Sequence, residues 1–170
     1  MGPLVRRSWQ PRGQTPVLLQ RGRRLEKVSA LAALCVSPSR DRVRLYFRLH
    51  PQAEIGARPV IGFLRHLNQE LKGPCVLLWD RLNAHRAKRT RRFVEGVDHL
   101  HPLFLPAYAP ELNPVEYAWS YLKMNPLANW PALEVEDLAA MTHRHARALQ
   151  TNESLLRSFL RHSPLFLRLR

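Results

Sequence analysis

Cys75-Val76-Leu77-Leu78-Trp79-Asp80-Arg81-Leu82-Asn83-Ala84-His85 is the stretch from which the fold is read. Five apolar residues in a row, set off by Gly73-Pro74, have the length of a strand rather than a helix. Nothing in the run alternates with polar residues, so it reads as a strand buried on both faces of a covered, partly parallel sheet. Asp80 closes it. In an open α/β sheet, ligands collect beyond the carboxyl ends of the strands. A charged group there is solvated, paired or bound to a cation. The plainer reading makes Asp80 a helix N-cap for the segment that follows.

Working outward toward the N-terminus, apolar residues at Val60, Ile61, Leu64, Leu67 and Leu71 carry helical spacing, and Gly73-Pro74 stops that helix. Before it, Val43, Leu45, Phe47 and Leu49 alternate with Arg44, Tyr46 and Arg48, as in a strand with one wet face. The small apolar run 28–36 and the turn Ser37-Pro38-Ser39-Arg40-Asp41 complete a hairpin. Val5-Arg6-Arg7-Ser8-Trp9 has the look of a short strand, with Pro11-Arg12-Gly13 turning after it.

Toward the C-terminus, 84–97 reads as a basic helix and 100–105 as a strand. A proline-rich loop follows, then helices near 114–123, 133–149 and 153–161. The order β-β-α-β-α-β-α-α predicts an α/β fold, a mixed sheet flanked by helices. Repeats and low-complexity linkers are absent, so residues 1–170 read as a single domain.

Charge narrows the function. The chain carries 27 Lys and Arg against 13 Asp and Glu, a net charge of +14 over 170 residues. Such a surface attracts polyanions, and DNA or RNA is the expected partner. No apolar run approaches the roughly 20 residues of a membrane span. The arginines and prolines of the first twenty residues do not make a secretory leader. A soluble cytoplasmic protein associated with DNA is expected. Cys35 and Cys75 sit in apolar runs and read as buried, reduced thiols, with no zinc-like spacing around them.

A second stretch answers Asp80: Leu105-Pro106-Ala107-Tyr108-Ala109-Pro110-Glu111-Leu112-Asn113-Pro114-Val115-Glu116-Tyr117-Ala118-Trp119. Asn113 suits a helix N-cap and Pro114 the first helical position. Glu116 then lies in the first turn, where its ordinary role is to pair with Asn113 in a capping box. Tyr108 and Trp119 are expected in core packing, with stacking on a splayed base as the alternative.

Together, Asp-x-x-Asn-x-His at a strand end and Leu-Pro-x-Tyr-x-Pro-x-Leu-Asn-Pro-x-Glu-x-x-Trp resemble the DDE endonuclease domain of mariner-like bacterial insertion-sequence transposases. The gap between the two carboxylates, residues 81–115, resembles the family's spacing between its second and third catalytic acids. Trp9-x-Pro11-Arg12-Gly13-Gln14-Thr15-Pro16 resembles a segment that follows the family's first catalytic strand. The resemblance spans roughly residues 5–125.

It implies a ribonuclease H-like fold and metal-dependent cleavage and transfer of DNA strands. Asp80 and Glu116 would be catalytic metal ligands, supported by Asn83, His85 and Asn113. The complete family site holds two Mg²⁺ or Mn²⁺ ions. By the resemblance, two copies would act as a homodimer. From their own position, on the helix that starts beside the site, Arg86, Lys88, Arg89, Arg91 and Arg92 read equally as contacts to DNA phosphates or as a solvated basic face, and Lys123 is a further candidate DNA contact. Further phosphate contacts are expected from Arg6, Arg7, Arg12, Arg21, Arg23 and Arg24, and from Arg161, Arg168 and Arg170.

The family's first Asp lies on a strand that would precede Met1, and Asp41, in the hairpin turn, is a poor substitute. The first, central strand and the N-terminal helix-turn-helix region are therefore expected to be missing, and cleavage to be impaired. The alternative is a catalytically dead, basic DNA-binding remnant. A third reading, an RNA-associated protein, rests on charge alone.

Overall fold

The computed structural model describes residues 6–7, 9, 11–14, 17, 27–130, 134–165 and 168–169. Strand β1 (Val28–Val36) and strand β2 (Val43–Pro51) form an antiparallel hairpin, with Val36 opposite Val43 and Val28 opposite Pro51. Arg40 closes the turn in the left-handed region, at φ 60°. The hydroxyls of Ser37 and Ser39 donate to Asp41 Oδ1. These bonds hold the Asp41 carboxyl down at about 2 and commit it to the turn.

The hairpin is covered on both faces. Leu31, Ala33 and Cys35 pack under helix α1 (Ala57–Leu71), against Val60, Phe63, Leu64 and Leu67. On the opposite face, Leu34, Val43 and Leu45 meet helices α4 (Pro114–Met124), α5 (Val135–Gln150) and α6 (Glu153–His162) through Leu122, Ala146, Leu156 and Leu160. This second cluster is the larger core. Arg44 and Arg48 stay exposed, but Tyr46 between them packs against the α1 cluster, so the face expected to be wet is partly covered. Cys35 and Cys75 are free thiols. Burial, with Cys75 adding to it, pushes the Cys35 thiol up to about 12.

Strand β3 (Cys75–Trp79) pairs in parallel with strand β4 (Leu100–Phe104), so that Trp79 lies beside Phe104. Among the described residues β1 pairs with β2 and β3 with β4, giving two separate two-stranded sheets. One face of β3 is buried: Leu77 and Trp79 join the α1 cluster. The other is open, with Val76 60% and Leu78 41% exposed, and Leu103 beside them on β4 at 55%. The expectation of a strand buried on both faces is therefore corrected. The cause lies in the packing, because α4 lies on β1, and α5 and α6 on β2, leaving the outer side of β3 and β4 uncovered. Pro102 fits this arrangement, since a strand edge tolerates a residue with no N–H to donate.

The basic helix expected over 84–97 is broken in two: α2 (Asn83–Arg86) and α3 (Lys88–Glu95). Ala87 leaves the helix with ψ 139°. The fully buried Thr90 bridges the break, its hydroxyl donating to the Ala84 carbonyl at 2.7 Å.

The Pro11-Arg12-Gly13 turn forms as expected: Gln14 N–H donates to Pro11 O, with Gly13 at φ 86°. Of the strand expected over 5–9, Arg6, Arg7 and Trp9 are described and lie in no strand; Arg21, Arg23, Arg24 and Arg170 fall outside the described residues. Arg6 does not stand free for phosphate. Its guanidinium donates to Met124 O, and its N–H and carbonyl bond the side chain of Asn129.

Candidate active site

Asp80 follows the last residue of β3. One oxygen, Oδ1, accepts the Leu82 N–H at 2.9 Å and lies 2.8 Å from His85 Nδ1. The first bond is the local turn that an Asp beside a helix start commonly makes. In the second, the ring proton belongs on Nδ1, facing the carboxylate. Oδ2 has no hydrogen bond among the described residues. These bonds, His85 first and Leu82 after it, hold the Asp80 carboxyl below the usual range against the opposing effect of burial.

His85 is itself fixed from below. Its ring lies flat on Trp79, at 4.7 Å between centroids and 14° between planes, and Trp79 in turn lies on Phe104 at 5.6 Å. The apolar strand end thus provides a stack that sets the imidazole and, through it, the carboxylate.

The strand pairing continues one step past the sheet. Leu105 N–H donates to Trp79 O at 2.8 Å, and Arg81 Nε to Leu105 O at 3.2 Å. The chain then turns through Pro106 and Ala107 to Tyr108, which sits in the left-handed region at φ 58°. A 3₁₀ turn at Pro110–Leu112 leads to Asn113. Asn113 Oδ1 accepts the Val115 N–H and caps α4.

Glu116 occupies the first turn of α4, but the capping box does not form. The Asn113 N–H, which Glu116 would accept, is already given to Pro110 O at 3.0 Å. Its carboxyl instead faces a cavity of about 470 Å³ that Asp80 also lines. Burial pushes the Glu116 carboxyl up, Lys123 opposes this, and the negative charge of Asp80 adds to the rise.

The structure thus brings Asp80, Glu116, Asn113 and Arg86 to one cavity, with His85 behind Asp80 and Lys123 near Glu116. Asn83 is exposed at the start of α2, does not line the cavity, and makes no side-chain hydrogen bond to it. Lys88, Arg89, Arg91 and Arg92 are exposed along α3. Arg81, passed over in the sequence, also lines the cavity; its place directly after Asp80 was the available signal. Trp119 packs against the larger core, as expected. Tyr108 does not: its side chain is fully exposed at the rim.

The donors facing the cavity are carboxylate oxygens, the type that hard divalent cations select. Among the described residues, no cluster of three His, Cys, Asp or Glu stands ready to hold a metal. The chemistry of the pair fits Mg²⁺ or Mn²⁺; the number of protein ligands is small.

Two pairs of strands with helices on both sides of the hairpin, and a cavity lined by one carboxylate at a strand tip and another at a helix start, fit the ribonuclease H-like class. The DDE superfamily endonuclease profile matches residues 2–139, and the chain belongs to that family.

Solved structures agree in fold. The Mos1 strand transfer complex matches with a TM-score of 0.61 at 20% identity, over 97% of this chain and 52% of that one. The Mos1 mariner paired end complex with Mn matches at 0.64 and 19%, over 95% and 48%. The catalytic domain of Mos1 mariner transposase matches at 0.58 and 20%, over 81% and 75%. This chain spans about half the length of the transposase chains in the first two complexes. No curated protein matches it in sequence. None of its described helices is long and apolar enough to cross a membrane.

Proposed function

We propose that this chain is the catalytic part of a DNA transposase, performing divalent-metal-dependent strand cleavage and transfer. One observation carries the reading: Asp80, at a strand tip, and Glu116, at a helix start, face a single cavity edged by Arg81 and Arg86.

Asp80 and Glu116 would hold Mg²⁺ or Mn²⁺, and solved Mos1 catalytic domains are described with each of these metals. When bound, the cation supplies charge neutralisation at the phosphate and lowers the pKa of an attacking water or hydroxyl. The chain's own residues do the rest. His85, held on Trp79, keeps Asp80 Oδ1 in place and leaves Oδ2 without a hydrogen bond among the described residues. Asn113 and Pro114 fix the first turn of α4 and hence Glu116. Arg81 and Arg86 contact phosphate oxygens at the cavity. Lys88, Arg89, Arg91, Arg92 and Lys123 attract the DNA backbone without reading sequence. A homodimer acting on paired DNA ends, and a second ion in the site, belong to the same proposal.

Two carboxylates leave a hard cation mostly to its waters, so cleavage by this chain is expected to be feeble. That expectation favours the second reading, a DNA-binding remnant without catalysis. Nicking of a labelled duplex in Mn²⁺ or Mg²⁺ separates them. Cleavage that Asp80→Ala and Glu116→Ala both abolish upholds the transposase proposal. Salt-sensitive binding with no cleavage, unchanged by either substitution, leaves only the remnant. Preference for structured RNA over duplex DNA would overturn both.

A further inference from the structure

We infer that Tyr108 is a stacking platform for an unpaired nucleobase beside the carboxylate cavity; this rests on the DNA-processing proposal and names how its substrate is held. Several observations converge on this one side chain. The ring is fully exposed, where a large aromatic is normally at least half covered. It has no hydrogen bond or ring contact with any described residue. It lies on the rim of the cavity that contains Asp80, Glu116, Arg81 and Arg86.

Its backbone conformation has to be enforced. At φ 58° a tyrosine bears a steric penalty that glycine or asparagine would largely escape. The loop enforces it from both sides. Leu105 is buried and bonded to Trp79 O, while Pro110 opens a 3₁₀ turn whose N–H groups at Leu112 and Asn113 return to Ala109 and Pro110. Ser163 Oγ ties Leu112 down further. A strained backbone, anchored at each end, holds a bare ring out at the mouth of the site.

Charge and shape select the ligand. The arginines at the cavity take phosphate, so the sugar and base attached to that phosphate reach the rim. Inside a duplex both faces of a base are covered by its neighbours. A free aromatic ring therefore gains most from a base that has left the stack, at a strand end or beside a nick. Every base has a π-face, so the contact tolerates any sequence.

The test uses the full chain in EDTA, with a fluorescent duplex oligonucleotide and a forked one carrying 2-aminopurine in its unpaired arm. Wild type should bind the fork about tenfold more tightly than the duplex, the size of one base–aromatic stack, and quench the 2-aminopurine. Tyr108→Ala should lose that preference and the quenching while binding duplex as before. Tyr108→Phe and Tyr108→Trp should keep both. Equal fork affinity and quenching in Tyr108→Ala and wild type would overturn this inference and leave the DNA-processing proposal standing. Failure of wild type to bind either oligonucleotide in a salt-dependent way would overturn both.

Discussion

Asp80 and Glu116 face one cavity, yet their surroundings push them in opposite directions. Asp80 is held low by His85 and the Leu82 N–H. Its stabilising contribution is present above the ordinary carboxylate pKa and is lost as pH falls through the lowered one. Glu116 is pushed up by burial. It favours the folded state only below the ordinary value, and that contribution is lost as pH rises through the raised one. In EDTA, Glu116→Gln should therefore melt higher than wild type at neutral pH, the gain disappearing near pH ~4. Asp80→Asn should melt lower at neutral pH and converge with wild type in stronger acid. Thermal melts across pH read both signs, and a Glu116→Gln variant less stable at pH ~7 would contradict the burial of that carboxyl.

Among the elements, α4 bears most directly on the site. Its first turn is fixed by Asn113, whose side chain takes the Val115 N–H, and by Pro114, whose missing donor costs nothing there. Replacing Asn113 with Ala should cost about 1 kcal/mol of stability, measured by urea titration, while Asn113→Asp should retain most of it. Because Glu116 rides on that turn, the Ala variant should also weaken Mn²⁺ binding; unchanged binding would mean that the cap does not position the carboxylate. The α2–α3 break is held in a similar way by one buried hydroxyl. Thr90→Val removes the bond to Ala84 O inside the core, at a cost of about 1–3 kcal/mol.

Two features of the whole molecule govern its behaviour in solution. The first is the +14 charge. Changing Lys88, Arg89, Arg91 and Arg92 to Gln should weaken binding to any duplex alike. The slope of log affinity against log salt should become shallower by about 0.9 for each phosphate that the helix no longer neutralises, and an unchanged slope would remove α3 from the DNA path. The second is the open face of the β3–β4 sheet. Val76, Leu78 and Leu103 leave adjacent apolar surface in water, and such strands invite association. Val76→Thr with Leu103→Thr should reduce apolar-dye binding and aggregation with little change in melting temperature; a large fall in melting temperature would show that the face is covered in solution.

Whatever depends on neighbours along the chain was legible in the residues alone. The alternation over 43–49 marked β2, the apolar run before Asp80 marked β3, and the cap–proline pair at Asn113 and Pro114 marked the start of α4, because period and capping are local. Membership of the ribonuclease H-like class was legible too, through two motifs long enough to be specific. Folding in three dimensions was needed to show that Asp80 and Glu116, separated by residues 81–115, share a cavity, that Glu116 is released from the capping box, and that Arg81 joins them. It was needed as well for the open side of β3, the break at Ala87, and the exposure of Tyr108 where core packing was expected. Each of these outcomes turns on which surfaces the folded chain covers. An apolar run or a tyrosine has the same local pattern whether a helix lands on it or passes by, so burial was settled by packing between distant segments.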